Sequence, residues 1–297
     1  MYPRPFEYHR ASSLAEAIAL LAQLGAEAKV IAGGQSLIPL MKLRFASPAH
    51  LVDLNFIPKL EYVEQRDGAL HLGPLTRHSQ IESSETASRI PIVHDCAAGI
   101  ADVQVRNQGT IAGSLAEADP SGDWAPVLIV LDAQVHCVGA KGERTVPVRE
   151  FLLDAYTTAL SHEELIRDIS LKIPGRGSGG AYIASKRCPQ VYASASAAVQ
   201  LNMSGDVCES ASIALGAMGL TAIRPTEAEA ALAGKALKNA TIKQAADAAM
   251  AATEPQPDMR GSVEYKRTLV GALLREAISV AARRARGETV AVSHHYA

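Results

Sequence analysis

The stretch Val30-Ile31-Ala32-Gly33-Gly34-Gln35-Ser36-Leu37 joins a short hydrophobic run to two glycines and a polar pair. Residues 29–32 predict a buried strand, and a capping box at Ser13 and Glu16 predicts a helix before it. This helix–strand–turn order places the glycines at the carboxyl end of a strand, where α/β proteins bind ligands. Consecutive backbone N–H groups with no side chain in front of them can form a concave anion site.

A second stretch, Gly109-Thr110-Ile111-Ala112-Gly113-Ser114-Leu115, repeats the combination of small residues and a hydroxyl group. We interpret it as a second turn at which the backbone approaches a ligand closely. Two such turns predict one extended ligand that is held from two sides. The first stretch lacks the Gly-x-Gly-x-x-Gly pattern of a Rossmann dinucleotide site and the Gly-Lys-Ser/Thr ending of a P-loop. Taken alone, it is equally consistent with a tight structural turn.

Two carboxylates follow the second stretch, Asp119 and Asp123. One of them could accept hydrogen bonds from a ribose or an adenine edge. The alternative, which the spacing favours, is a turn residue at Asp119 and a helix N-cap at Asp123, before a helix over 124–131. No Ser/His/Asp or Cys/His set predicts a nucleophile, and no His/Glu arrangement predicts a metal. Any catalysis would therefore rest on a bound cofactor.

The composition is that of an ordinary soluble globular protein, with 297 residues, 48% hydrophobic and 20% charged. A net charge of −2 gives no reason to expect nucleic acid or a membrane surface as a partner. No run reaches the ~18 apolar residues of a membrane span, and we see no secretory signal, so we expect a cytoplasmic protein. The four cysteines, Cys96, Cys137, Cys188 and Cys208, are scattered. This disfavours an iron–sulfur cluster or a structural zinc on this chain.

The stretch Gly175-Arg176-Gly177-Ser178-Gly179-Gly180 predicts a flexible linker. We therefore expect a first domain over 1–175, a linker over 176–180 and a second domain over 181–290. Residues 263–286 predict a long amphipathic helix with a face that includes Tyr265, Leu269 and Leu273. His294 and His295 fall in a tail that we expect to be frayed.

Several stretches together carry a family resemblance. They are Pro5-Phe6-Glu7-Tyr8, 32–39, Met41-Lys42-Leu43-Arg44, Leu51-Val52-Asp53-Leu54, 105–114, Asp119-Pro120 with Asp123, and 261–267. With them the chain resembles the FAD-binding medium subunit of the molybdenum hydroxylases, the family of aerobic carbon monoxide dehydrogenase medium subunits and xanthine dehydrogenase FAD subunits. The resemblance runs nearly end to end.

The resemblance implies an α+β fold. It implies an N-terminal FAD-binding domain of the PCMH type, with two subdomains like those of vanillyl-alcohol oxidase. It also implies a C-terminal domain of the carbon monoxide dehydrogenase flavoprotein type, in which an antiparallel sheet packs with a helical bundle.

The resemblance also implies the cofactor-binding residues. The FAD pyrophosphate would be clasped by Ala32, Gly33, Gly34, Gln35, Ser36 and Leu37, and by Thr110, Ile111, Ala112, Gly113 and Ser114. Asp123 would bind near the ribose or adenine, and Ala101, Leu165, Lys186 and Tyr192 would approach the flavin or the adenine. Ala112 departs from the family, where many relatives have glycine. Gln35 stands where some related flavoproteins attach FAD through histidine, so we predict non-covalent FAD.

The implied role is electron transfer. A large molybdopterin subunit would oxidise the substrate, a small subunit would relay electrons through [2Fe–2S] clusters, and FAD on this chain would pass them to an external acceptor. The expected assembly is a dimer of heterotrimers. Two alternatives stay open: a stand-alone, non-covalent FAD oxidase or reductase of the same superfamily, and a non-enzymatic ligand-binding scaffold. The substrate would be selected by the large subunit.

Overall fold

A parallel sheet of three strands forms the N-terminal part of the chain. The structure is a computed structural model that describes residues 2–296. The elements here are β1 (Glu7–Arg10), α1 (Leu14–Leu24), β2 (Ala28–Ile31), α2 (Leu37–Leu43) and β3 (His50–Asp53), and the strand order is β1-β3-β2. The Ser13 hydroxyl accepts the N–H of Glu16 at 3.1 Å, which confirms the predicted helix start. β2 ends at Ile31, and a single residue, Ala32, separates it from Gly33 and Gly34, so the glycines follow the end of a strand as predicted.

A second, antiparallel sheet follows, with most of the short helices beside it. The elements are β4 (Val63–Arg66), β5 (Ala69–Leu72), α3 (His78–Glu82), α4 (Glu85–Ser88), α5 (Pro91–Gly99), α6 (Val103–Gln108), α7 (Ile111–Glu117), α8 (Trp124–Val130), β6 (Gln134–Gly139), β7 (Gly142–Pro147), α9 (Val148–Phe151), β8 (Leu152–Asp154), β9 (Thr157–Thr158) and β10 (Glu164–Lys172). The strand order is β4-β5-β10-β6-β7, and β8 pairs with β9 as a separate ribbon.

The C-terminal part is a third sheet with three helices. Its elements are β11 (Ser178–Lys186), β12 (Ala195–Ser204), β13 (Val207–Gly216), α10 (Thr226–Leu232), β14 (Lys235–Ala236), α11 (Asn239–Ala251), α12 (Val263–Ala285) and β15 (His295–Tyr296). The order is β14-β13-β12-β11-β15, antiparallel except for β15. This mixture of helices and sheets confirms the predicted α+β class. Among residues 2–296, no helix combines the length and the apolar character that a membrane crossing needs.

The two faces of β11 join the parts of the chain. Alternate residues of a strand point to opposite faces. Ala181 and Ile183 belong to the core shared with α12, whereas Tyr182 and Ala184 belong to the core shared with α5 and α8. The C-terminal sheet is therefore buried on both sides, and β11 faces the helices that follow the second glycine stretch.

The glycine run at 175–180 differs from the predicted flexible linker. Ser178, Gly179 and Gly180 are the first residues of β11. A Cβ at Gly179 would overlap the backbone of α12 at Ala281, and a Cβ at Gly180 would lie 3.1 Å from Ile92 of α5. These glycines therefore allow two helices to pack closely against the strand. A glycine-rich run can indicate such close packing as well as a flexible linker.

The C-terminal tail is also ordered rather than frayed. His294 Nδ1 accepts the N–H of Ala184 at 3.2 Å, and His294 Nε2 lies 2.9 Å from the carbonyl oxygen of Asp95. Since Nδ1 is an acceptor, Nε2 carries the proton and donates to that carbonyl. Burial lowers the pKa of His294, which favours this neutral form.

Candidate cofactor site

The two glycine stretches meet in space. A Cβ on Gly33 would overlap the carbonyl oxygen of Gln108 and lie 2.8 Å from the Cα of Gly109. A Cβ on Gly113 would lie 4.0 Å from the Cβ of Ala32. The first glycine turn therefore packs directly, backbone on backbone, against the second stretch. This contact requires glycine at position 33.

In the described part of the chain, the first turn leaves a row of backbone donors without protein acceptors. Within residues 2–296, the N–H groups of the five residues from Gly33 to Leu37 donate to no backbone or side-chain acceptor. Gly34 has φ +70°, in the left-handed region that glycine adopts without strain. Successive N–H groups in such a turn form a concavity for an anion. Ser36 adds a hydroxyl at the N-cap of α2 that makes no capping bond.

The second stretch is the start of a helix rather than a turn, so that part of the prediction is wrong. Thr110 is the N-cap of α7, and its hydroxyl accepts the N–H of Gly113 at 3.2 Å. The N–H of Ile111 donates to the Thr76 carbonyl at 3.1 Å. Among residues 2–296, the N–H of Ala112 has no protein acceptor. Because Thr-Ile-Ala-Gly satisfies the N-cap preference, the helix start could have been recognised from sequence.

Asn55 and Arg77 tie the two stretches together, and sequence reasoning missed both residues. The Asn55 amide donates to the Ala32 carbonyl at 2.8 Å and accepts from Arg77 at 2.6 Å. Arg77 also donates to the Gln108 carbonyl at 2.5 Å. This bridge runs from one glycine stretch to the other. No pattern along the chain connects Asn55 with Arg77, which is 22 positions away.

His78 supports the second stretch from behind. It is buried, and its Nδ1 accepts the indole N–H of Trp124 at 3.1 Å. Its backbone N–H donates to the Gly109 carbonyl at 3.2 Å. Burial lowers the pKa of His78 to about 4, so the imidazole is neutral at pH 7 and Nε2 carries its proton. A Cβ on Gly109 would lie 2.8 Å from that Nε2 atom, so the ring and the glycine fit closely.

Asp123 and Lys186 form a buried ion pair. The Lys186 ammonium lies 3.0 Å from the Asp123 carboxylate and donates to the Gly99 carbonyl at 2.8 Å. The Tyr182 hydroxyl donates to the same carboxylate at 2.6 Å. Asp123 is the N-cap residue of α8, as the spacing predicted, but its side chain makes no capping bond, so the N-cap interpretation is wrong for the side chain. The partner, Lys186, was visible in sequence only as an isolated cation. Asp119 does behave as the turn residue of the alternative interpretation, since its carboxylate accepts the Ser121 N–H.

The other predicted residues surround this junction at different depths. Ala101 has φ +44°, an unusual conformation for a residue with a Cβ, and lies two positions beyond the carbonyl that holds Lys186. Leu165 on β10 is buried in the small core that also contacts Ala32. Tyr192, on the loop after β11, is 43% exposed. Although that share of the residue is exposed, its hydroxyl lies close to Ser36 among other protein groups, and the loss of water around the hydroxyl together with the charge of Asp119 raises its pKa.

The geometry fits a diphosphate. The donors are uncharged backbone N–H groups in a row, and they lie beside the second glycine stretch. The contact at Gly33 leaves no space for a side chain. Phosphate oxygens are acceptors only, so they suit such a row of N–H groups.

Comparison with known proteins identifies the class to which this site belongs. Residues 4–174 match the family described as the FAD binding domain in molybdopterin dehydrogenase, and residues 180–281 match the carbon monoxide dehydrogenase flavoprotein C-terminal domain. The chain belongs to this family of FAD-binding oxidoreductase subunits of the molybdenum hydroxylases, which confirms the resemblance seen in the sequence.

Individual relatives span the whole chain. The carbon monoxide dehydrogenase medium chain of Hydrogenophaga pseudoflava is 39% identical over 95% of this chain and 98% of its own length. The 6-hydroxypseudooxynicotine dehydrogenase complex subunit alpha of Paenarthrobacter nicotinovorans is 38% identical over 99% of this chain and 100% of its own length. A solved structure of carbon monoxide dehydrogenase from Hydrogenophaga pseudoflava superposes with a TM-score of 0.94 at 41% identity, covering 96% and 99% of the two chains.

Proposed function

We propose that this chain is the flavin subunit of a molybdenum hydroxylase, which takes electrons from [2Fe–2S] clusters of a partner and passes them through FAD to an external acceptor. The observation that carries the proposal is the contact between the two glycine stretches, with the unpaired N–H groups of Gly33 to Leu37 beside it. FAD supplies the electron chemistry, and the protein supplies binding and orientation.

The roles proposed for the side chains follow from their positions. The N–H groups from Gly33 to Leu37 bind the pyrophosphate, and the N–H of Ala112 adds a donor from the second stretch. Gln35 has no ring nitrogen with which to form a covalent flavin bond, so the FAD is held non-covalently. Asp123 and Lys186 act as a pair at the adenine or flavin end, because their charged groups already contact each other.

The remaining predicted contacts belong to the same proposal. Ala101, Leu165 and Tyr192 line the flavin or adenine end of the site. Tyr192 is the most exposed of the three, and its position near Ser36 supports a contact with the bound cofactor. The division into domains over 1–175 and 181–290, and the likeness to vanillyl-alcohol oxidase, are proposed on the same basis.

The proposed partners are a large molybdopterin subunit and a small iron–sulfur subunit, in a cytoplasmic dimer of heterotrimers. The cysteines of this chain support that division of labour. Cys96, Cys137 and Cys208 are buried in separate elements, and Cys188 lies in a loop. An iron–sulfur cluster needs clustered thiolates.

The proposal assigns no substrate. Relatives named for carbon monoxide and for 6-hydroxypseudooxynicotine match this chain at 39% and 38% identity, so the flavin subunit is nearly as similar to one as to the other. This small difference supports selection of the substrate by another chain.

The test is purification of the tagged chain from its native cells, followed by identification of bound chains, FAD, molybdenum and iron. The proposal expects a molybdopterin subunit and an iron–sulfur subunit, and acid-released FAD in an amount equal to the chain. A chain that binds FAD but co-purifies alone, and whose flavin is reduced directly by a small substrate, would establish the stand-alone oxidase. A chain without FAD that cannot be reconstituted would establish the scaffold.

A further inference from the structure

Three metal-binding side chains meet on the N-terminal sheet, away from the glycine stretches. The Nε2 atom of His9 lies 3.1 Å from the Nδ1 atom of His50. The Oε2 atom of Glu7 lies 3.4 Å from that His50 atom and 3.9 Å from that His9 atom. Of the groups formed by described residues, this is the one in which at least three possible ligand atoms lie close enough for a single ion.

The sheet itself brings these residues together. Glu7 and His9 are two positions apart on β1, so their side chains lie on the same face. Glu7 pairs with His50 on the neighbouring parallel strand β3. The two histidines are 41 positions apart in sequence, so no local spacing reveals the group. The sequence predicted no His/Glu metal site because that prediction rested on residues close together in the chain.

The distances match a coordination sphere. Zinc binds imidazole nitrogen and carboxylate oxygen at about 2.0–2.2 Å, so two ligands at a tetrahedral angle are about 3.3–3.6 Å apart. The three observed separations lie around that value. An ion between the three atoms therefore needs only small side-chain movements. It would replace the proton that His9 and His50 now share.

We propose that Glu7, His9 and His50 form a binding site for a divalent transition-metal ion, with Zn²⁺ as the expected occupant. Two imidazoles and one carboxylate suit zinc better than calcium or magnesium, which prefer oxygen ligands. The side chain of Glu7 is 73% exposed, whereas those of His9 and His50 are 24% and 18% exposed. The fourth position therefore opens to water on the side of Glu7.

The site would clamp an edge strand. β1 is four residues long and lies at the edge of its sheet. Glu7 and His50 are the first residues of β1 and β3, and His9 is the third residue of β1, whereas the glycine turn follows the carboxyl end of β2. Because β2 and β3 run parallel, the metal lies toward the opposite end of the sheet from the proposed pyrophosphate. Its occupancy is therefore independent of FAD.

The test is Zn²⁺ binding to the purified full chain, measured by competition with a chromophoric chelator. Three variants are compared: Glu7→Gln, His50→Gln and, as a matched control, the exposed His162→Ala. One equivalent of Zn²⁺ should bind to the native chain and to His162→Ala. Each ligand variant should weaken binding by about tenfold or more. Since Glu7 is exposed, Glu7→Gln removes a ligand without disturbing the core.

Two further results decide the proposal. Co²⁺ bound to the native chain should show the visible absorption of a site with low coordination number, and that absorption should be lost in Glu7→Gln. Zn²⁺ should also raise the Tm of the native chain and not that of His50→Gln, because an ion that binds only the folded state stabilises it. Equal Zn²⁺ affinity in all three variants, or no binding to the native chain, would overturn the site.

Discussion

At Gly33, the addition of a single Cβ atom would disturb the contact between the two glycine stretches. A Cβ there overlaps the Gln108 carbonyl, and both groups are backbone, so neither can move without moving its whole segment. The glycine was recognisable from sequence because it follows a buried strand. Its contact with Gln108 was not, since the two residues are far apart in the chain and neither carries a distinctive side chain.

Gly33→Ala should separate the two glycine stretches. We expect the purified chain to lose most of its FAD and about 1–3 kcal/mol of stability, in the range of strain and overpacking. Gly175→Ala is the matched control, because a Cβ there meets nothing within 4 Å. FAD content after acid release and urea unfolding measure both effects. Full FAD content in Gly33→Ala would show that the contact has no part in binding.

His78 should make stability depend on pH. Its pKa in the folded chain is about 4, below the ordinary 6.5. Between these two pH values the imidazole is protonated in the unfolded chain and neutral in the folded chain. Stability is therefore lost as the pH falls from about 6.5 toward 4, by roughly 3 kcal/mol in all. Between pH 7 and pH 5 the loss is about 2 kcal/mol.

His78→Asn isolates this effect. Asparagine cannot titrate, and its amide oxygen can still accept the Trp124 indole N–H. Urea unfolding at pH 7 and pH 5 should show a pH dependence smaller by about 2 kcal/mol in the variant. His136 and His294, whose pKa values burial also lowers, contribute equally to both proteins. An unchanged difference between the two pH values would mean that His78 is charged in the folded chain.

At the scale of elements, the sequence predicted the helices and strands that are determined by residues close together in the chain. The start of α1 at Ser13 and the strand before Gly33 depend on residues within one turn or one strand. The face of α12 was predicted less well. Leu273 is buried and Leu269 packs against the core, as predicted, but Tyr265 is 45% exposed, and the buried stripe also runs through Val270, Leu274 and Ala277. The strands that it packs against contribute several small residues, among them Ala181, Ala195 and Ala197, so hydrophobic size alone did not identify the inner side of the helix.

The bridge that Asn55 and Arg77 form between the two glycine stretches gives a prediction at the scale of elements. Arg77→Ala removes the hydrogen bonds to Asn55 and to the Gln108 carbonyl. We expect a loss of about 2–3 kcal/mol of stability, since these bonds involve a charged donor, together with weaker FAD binding. Arg149→Ala is the control, because its ion pair with Asp132 is exposed and such pairs contribute about 0–1 kcal/mol. If both variants lose the same stability and bind FAD equally, the bridge does not hold the stretches together.

At the scale of the whole molecule, the C-terminal sheet completes the junction. Lys186 of β11 reaches Asp123 and Gly99, which lie at the start of α8 and the end of α5. Sequence resemblance marked Asp123 and Lys186 as separate cofactor contacts. Their pairing depends on how the C-terminal sheet packs onto the helices, which no pattern along the chain encodes.

A double-mutant cycle on this pair tests the junction. Lys186→Met leaves the Asp123 carboxylate buried without its cation, so we expect a loss of about 3–5 kcal/mol. Adding Asp123→Asn removes that stranded charge, and Asn can still accept from Tyr182. The double variant should therefore be more stable than the sum of the two single losses predicts. Additive losses, measured by urea unfolding, would contradict a direct ion pair.

The central claim is that both glycine stretches bind the pyrophosphate of one FAD molecule, and a crystal structure of the chain with FAD tests it most directly. The account predicts phosphate oxygens within about 3 Å of N–H groups between Gly33 and Leu37 and of the Ala112 N–H. A pyrophosphate bound elsewhere, with those N–H groups facing water, would contradict it.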